Sequence, residues 1–411
     1  MSLTSKNLNC FYKNTNLGLA SIGILAFGIR MYFFPNDIPV TEDGFLYFRY
    51  AIDASILGHL PNIALVNNAW PLLLSVFFWL FHSNNFLDYM ELQRLISVSI
   101  STLTIIPVYL LVRRFFEPKY ALMGALMFAV EPRTVINSLL GITEPLYIFF
   151  VTIILYFIFD NKKRSIYISL FVMALCLQIR YEGVVLLFLV SIVFFVKHGI
   201  NRNVLLQYAL ALGLFLAIVL PIAYLNTVTY GYEGITSNLI NGGTVYGKEA
   251  TAYSNGTLGG IFHYVINGLQ ALIKYLVWMT IPYYAIFVPI GVYLIIKKRM
   301  TDNWIAILTI IVLSIPALYA YSRGIQETRY LYLLYPILSV FSVFCIKFLV
   351  EKRREIFYIS LIIILASALL FIQYKTIDRD HEREAFEIAR YISKNATAVN
   401  SYYPESRYLS V

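Results

Sequence analysis

Two adjacent carboxylates, Glu42 and Asp43, sit in the stretch "PVTEDGFLYFRYAIDA", residues 39–54, just beyond the first long apolar run. A carboxylate in a partly dry pocket can serve as a general base while its neighbour holds a cation or an arginine. On a helix the two point about 100° apart, so they cannot share one direction. The plainer alternative is a helix start, with Thr41 as N-cap and the acids in the first turn. Glu144 recurs in the same setting in "LLGITEPLYIFF", with Pro145 just inside a helix start and Thr143 as a candidate cap. Oxygen ligands of this kind suit Mg²⁺ or Mn²⁺.

Two Arg-Tyr pairs complete the set, Arg180-Tyr181 in "QIRYEGVVLL" and Arg329-Tyr330 in "QETRYLYLLYP". A guanidinium offers a fixed fork of donors that fits phosphate, and it stays charged in apolar surroundings. Two alternatives stand beside that reading. The arginines can snorkel to lipid headgroups, or pair internally with their neighbours Glu182 and Glu327. The histidines are scattered without an HExxH or HxxxH, and the three cysteines form no CxxC, so neither a His-ligated zinc site nor a disulfide framework is expected.

The elements that position these residues are set by composition. Of 411 residues, 59% are hydrophobic and only 13% charged, where soluble domains carry about 25% charged. The pattern is that of an all-α polytopic membrane protein. The net charge of +9 then reflects topology and implies no nucleic-acid partner. A bilayer core of ~30 Å needs roughly 20 apolar residues per helix. Eleven spans are expected: 17–34, 95–112, 119–135, 144–159, 165–180, 183–196, 204–224, 281–296, 303–321, 329–350 and 355–372. Two further apolar stretches, 69–81 and 261–279, read as interfacial helices.

Charge orients this arrangement. With 69–81 not crossing, short basic loops at Lys6/Lys13, Arg113/Arg114/Lys119, Lys162–Arg164, Lys197/Arg202, Lys297–Arg299 and Lys352–Arg354 all fall on one side, the cytoplasmic side by the positive-inside rule. The N-terminus is then cytoplasmic, and the C-terminus, after a short tail over 373–411, extracytoplasmic. Residues 1–372 form one transmembrane module, with a first outer loop at 35–94 and a long outer loop at 225–280. Glu42, Asp43, Asp53, Glu131, Glu144, Glu182, Glu233, Glu249 and Glu327 are expected on the outer face with Arg49, Arg94, Arg133, Arg180, Arg323 and Arg329. Charges at the hydrocarbon boundary are costly unless paired or used, so an electrostatic cavity open to the outside is expected.

The order Arg30, "TEDGFLYFRYA", "WPLLLSVFFWLF", Arg94, "GITEPLYIFF", "IRYEG", "ETRYLYLLYP" resembles the GT-C superfamily of membrane glycosyltransferases over about residues 17–350. The nearest group is the protein mannosyltransferases and aminoarabinose transferases that use polyprenyl-phosphate sugars. The resemblance implies Glu42 and Asp43 at the active site and Glu144 as the second acid. It also implies Arg180 and Arg329 on the donor phosphate, and Tyr330, the partner of Arg329 in its Arg-Tyr pair, is expected beside them. Arg49 and Glu144 are expected as supporting residues, with a divalent cation (Mg or Mn) as the one candidate cofactor. The implied partners are a dolichyl- or undecaprenyl-phosphate sugar, membrane lipids and a protein, lipid or glycan acceptor. Oligosaccharyltransferase catalytic subunits are similar over "EDGFLYFRYA", but no WWD occurs here. A transporter or flippase for an anionic glycolipid is the alternative of a different class.

Overall fold

The computed structural model describes residues 5–40, 42–61, 65, 67–237, 258–298, 301–375 and 377–395. Within these, the side chains of 5–14, 42, 258–264, 298, 301–303, 375, 377–380 and 394–395 are not described. Every regular element is helical, and no strand occurs among the described residues. The helices are α1 (Ser5–Tyr32), α2 (Glu42–Leu57), α3 (Ala69–Leu80), α4 (Phe86–Leu103), α5 (Ile105–Arg113) and α6 (Pro118–Ala129). There follow α7 (Pro132–Ser138), α8 (Glu144–Ile158), α9 (Ser165–Ile179), a 3-10 turn at Tyr181–Val184, α10 (Val185–His198) and α11 (Arg202–Tyr230). The rest are α12 (Leu258–Thr280), α13 (Tyr284–Lys298), α14 (Thr301–Ser322), a 3-10 helix at Thr328–Leu334, α15 (Tyr335–Lys352), α16 (Ile356–Lys375) and α17 (Ile377–Asn395).

The apolar runs become helices because a bilayer leaves backbone groups no water to bond, so each must be satisfied within its own segment. Among the described residues, six helical stretches are long and apolar enough to cross a membrane, or seven if α12 and α13, bent by 111° at their junction, count as one. The chain is therefore an integral membrane protein, but the eleven expected spans are not established. Helices α8 and α9 have 15 residues each, roughly 22 Å of rise against a ~30 Å core. The expected span 119–135 is divided at Val130-Glu131 into α6 and α7. The stretch 17–34 lies almost wholly within α1.

Burial separates the helices. The continuous stretch Thr328–Lys352, which ends in α15, is 78% buried along its apolar window, whereas α11 and α16 are 17% and 22% buried, with many Leu and Ile side chains exposed. α15 packs against α13 so closely that a side chain at Gly291 would collide with the Phe341 carbonyl. α8 packs antiparallel on α9, and α2 on α3. These contacts bring the start of α8, the end of α9, the turn 181–184 and the 3-10 helix 328–334 to one end of the bundle.

Candidate active site

The scaffold of the site is the start of α2. Two consecutive side chains of α4 fix it. Arg94, buried, donates to the carbonyls of Leu139 (2.9 Å), Pro35 (3.5 Å), Pro39 (2.9 Å) and Ile38, pinning the segment that leads into α2. Gln93 donates from its amide to the Gly44 carbonyl (2.9 Å) and the Gly141 carbonyl (2.7 Å), joining α2 to the loop before α8. Trp70 of α3 is fully buried and donates to the same Gly141 carbonyl at 3.1 Å. Gly44 has to be glycine, since a Cβ there would lie 2.8 Å from the Leu140 carbonyl oxygen.

On this frame the acids and arginines form one connected network. Arg180, at the end of α9, reaches Glu144 Oε1 at 2.6 Å with Nη1 and Glu182 Oε1 at 2.9 Å with Nη2. Arg329 bonds Asp43 Oδ2 at 2.6 Å, lies 3.8 Å from Glu144 and pairs with Glu327 through Nε. The order across the site is Glu182, Arg180, Glu144, Arg329, Asp43. Glu144 is the buried hub, with its side chain 4% exposed, while Asp43 is 44% exposed at the mouth. Tyr330 lies beside Arg180, whose guanidinium carbon is 5.3 Å from its ring. Tyr47, one helical turn on from Asp43, neighbours Thr143; burial, reinforced by the Asp43 and Glu144 carboxylates, raises its hydroxyl well above the ordinary tyrosine range. A narrow cleft is lined by Glu144, Tyr147, Arg180, Glu182, Arg329 and Tyr330 together with Ile148, Pro316 and Leu333.

The structure brings Asp43, Glu144, Arg180, Arg329 and Tyr330 together from distant parts of the chain. The remaining expected residues stand elsewhere or are not described. Glu42 opens α2, but its side chain lies outside the described residues. Arg49 is exposed, six residues on from Asp43 and so about 120° round the helix, and it does not join the network. Arg94 and Arg133 are structural instead: Arg133 donates to the Trp278 carbonyl (2.8 Å) and to that of Ile281, holding the bend between α12 and α13. Gln93 and Trp70 were missed; the only trace of Gln93 is a polar pair, Gln93-Arg94, inside an otherwise apolar helix face.

A metal ion fits these residues poorly. Asp43 and Glu144 are oxygen donors, but each contacts the Arg329 guanidinium, and among the described residues no three His, Cys, Asp or Glu side chains converge.

Comparison with known proteins separates the fold from its cargo. Residues 69–225 match the family profile described as dolichyl-phosphate-mannose-protein mannosyltransferase. The structure of ArnT from Cupriavidus metallidurans bound to undecaprenyl phosphate is similar at a TM-score of 0.60 and 15% identity, over 85% of this chain and 64% of that one. The oligosaccharyltransferase of Archaeoglobus fulgidus, solved with Zn and sulfate, is similar at a TM-score of 0.57 and 14% identity, over 95% of this chain and 57% of that one. The same archaeal enzyme, AglB, with an inhibitory peptide and a dolichol-phosphate, gives a TM-score of 0.54 at 14% identity, over 86% of this chain and 54% of that one. The chain has the GT-C fold. It spans between about half and two thirds of the length of these GT-C structures. No curated protein matched it.

Proposed function

We propose that this GT-C protein is an inverting glycosyltransferase of the extracytoplasmic membrane face, moving a sugar from a dolichyl- or undecaprenyl-phosphate donor to a hydroxyl on a protein, lipid or glycan acceptor. The observation that carries the reading is the Asp43–Arg329–Glu144–Arg180 chain, which joins an accessible carboxylate to two guanidiniums within one cleft.

The two ends of that chain suit different tasks. The Asp43–Arg329 pair is half exposed, and such pairs are worth only about 0.2–1 kcal/mol. A phosphate, with more oxygens for the fork of Arg329, displaces Asp43 from it. The freed carboxylate takes the proton of the acceptor hydroxyl as the oxygen attacks the anomeric carbon. The bond from that carbon to the phosphate oxygen breaks on the opposite face, and the electron pair leaves on the phosphate. Arg329 and Arg180 then stabilise the added charge, the larger share of such catalysis. Glu144 and Glu182, bonded to Arg180, hold its fork in place. Glu42 is the second candidate base.

The balance of charge sets a constraint. Four carboxylates (Asp43, Glu144, Glu182, Glu327) face two guanidiniums, a formal excess of two negative charges. An Mg or Mn ion would offset that excess, but no step here runs through one. Coverage of nearly the whole chain by the archaeal oligosaccharyltransferase gives a second reading in which the acceptor is an asparagine amide.

The test is transfer in membranes from a panel of radiolabelled polyprenyl-phosphate sugars, to peptide, lipid and glycan acceptors. Wild type should transfer from at least one donor, and Asp43→Asn should fall by roughly 10²–10⁴-fold. An Asp43→Asn protein that transfers as well as wild type would remove Asp43 from the mechanism; no transfer from any donor would remove the activity.

A further inference from the structure

Tyr147 is a buried hydroxyl that the resting protein leaves without a bond. It lies in the first turn of α8, three residues on from Glu144 and so on the same face of the helix. Its side chain is 3% exposed, it lines the cleft, and its hydroxyl makes no hydrogen bond. Buried tyrosine hydroxyls nearly always have a partner, because an orphaned one forfeits about 1–3 kcal/mol. The charged and polar groups nearest it are Cys176, Glu182 and Arg180, and Glu182 Oε1 bonds Arg180 at 2.9 Å. The Arg180 guanidinium carbon is 5.9 Å from the Tyr147 ring and 5.3 Å from that of Tyr330, so the two rings flank it.

We infer that Tyr147 binds the substrate directly, donating its hydroxyl proton to an oxygen of the donor phosphate held by Arg180. The inference rests on the transferase reading and adds a residue to it. A ligand here has to accept a hydrogen bond from a neutral hydroxyl and charge-assisted bonds from a guanidinium, as a phosphate oxygen does. The same cleft continues into Ile148, Pro316 and Leu333, an apolar wall suited to the first carbons of a lipid chain. The hydroxyl contributes without adding a cation and without a carboxylate having to leave.

The variant is Tyr147→Phe, which keeps the ring and removes only the unsatisfied group. Purified full-length wild type and variant are titrated with undecaprenyl phosphate, and in a second arm with inorganic phosphate, following thermal unfolding. Without ligand, Tyr147→Phe should melt at or above the wild-type temperature. With undecaprenyl phosphate it should bind roughly ten- to hundredfold more weakly, with a matching rise in donor KM. Equal affinity in the two proteins overturns the inference alone, as does a lower melting temperature of the free variant with unchanged affinity, which would make the hydroxyl the anchor of a structural water. An inorganic-phosphate effect equal to that of the lipid would overturn the lipid-linked ligand. No response of wild type to the lipid phosphate, in an assay without transfer, would overturn the transferase reading along with it.

Discussion

At the scale of single residues, the two arginines of the network look interchangeable in sequence and are not in space. Arg180 is bonded on both sides by acids that are 4% and 11% exposed. Removing it strands buried carboxylates, a loss of about 3–5 kcal/mol. Arg329 holds Asp43, which is 44% exposed and can turn to water, while the buried Glu144 3.8 Å away keeps its bond to Arg180, so removing Arg329 should cost about 1 kcal/mol or less of stability. Arg180→Ala should therefore lose both transfer and thermal stability, while Arg329→Ala should melt near wild type and lose transfer at least tenfold. Comparing melting temperature with transfer rate checks this, and an Arg180→Ala protein as stable as wild type would show that the network carries no structural load. The sequence made both arginines visible because each stands beside a tyrosine and an acid at the edge of an apolar run. Of its two readings, internal pairing with Glu182 and Glu327 is what the structure shows; phosphate binding belongs to the proposed function. Arg49 was legible as a charge but misplaced, because its direction depends on the turn of α2 relative to the cleft.

At the scale of elements, the start of α2 decides where Asp43 stands. Gly44 passes 2.8 Å from the Leu140 carbonyl oxygen, measured to where a Cβ would sit, and 3.3 Å from Val40 Cβ. The first neighbour is backbone, fixed by the Gln93 and Arg94 bonds on either side, so the helix has to yield. Overpacking of this kind costs about 1–3 kcal/mol, and a shift of about 1 Å at a reacting group can cost 10²-fold in rate. Gly44→Ala should thus keep the protein folded in membranes while transfer drops by one to two orders of magnitude, chiefly in kcat. Unchanged kcat would mean that α2 adapts without moving Asp43. That dependence could not be read from "TEDGFLYFRYA". Gln93 lies 49 residues from Gly44 and Leu140 lies 96 away, and no local pattern marks them as partners. The helices themselves were legible because hydrophobic runs in a bilayer have few other structures to adopt; the number of spans was not, because α8 and α9 fall short of the core thickness and α6 breaks before Glu131.

At the scale of the whole molecule, charge divides the bundle into two ends. α8, α10 and α15 start near the cleft, beside Glu144, Glu182 and Arg329, and run away from it to Ile158, His198 and Lys352. The far end holds Arg113, Arg114, Lys162, Lys163, Arg164, Lys197 and Arg202, where Arg114 pairs with Asp160 at 3.3 Å and its guanidinium carbon lies 4.2 Å from the Tyr156 ring. Short loops of this composition favour the cytoplasm during insertion, so the proposed function predicts the cleft outside, where a lipid-linked donor would present its sugar. Single cysteines make the orientation measurable, because Cys176 and Cys345 are buried and Cys10→Ser removes the remaining thiol. His59→Cys, on the exposed segment after α2, should react with a membrane-impermeant maleimide in intact cells. Lys163→Cys, exposed between α8 and α9, should react only after permeabilisation. The reverse pattern would put Asp43 and both arginines in the cytoplasm, where a soluble nucleotide sugar could serve as donor, and the case for a polyprenyl-phosphate substrate at this cleft would fall with it.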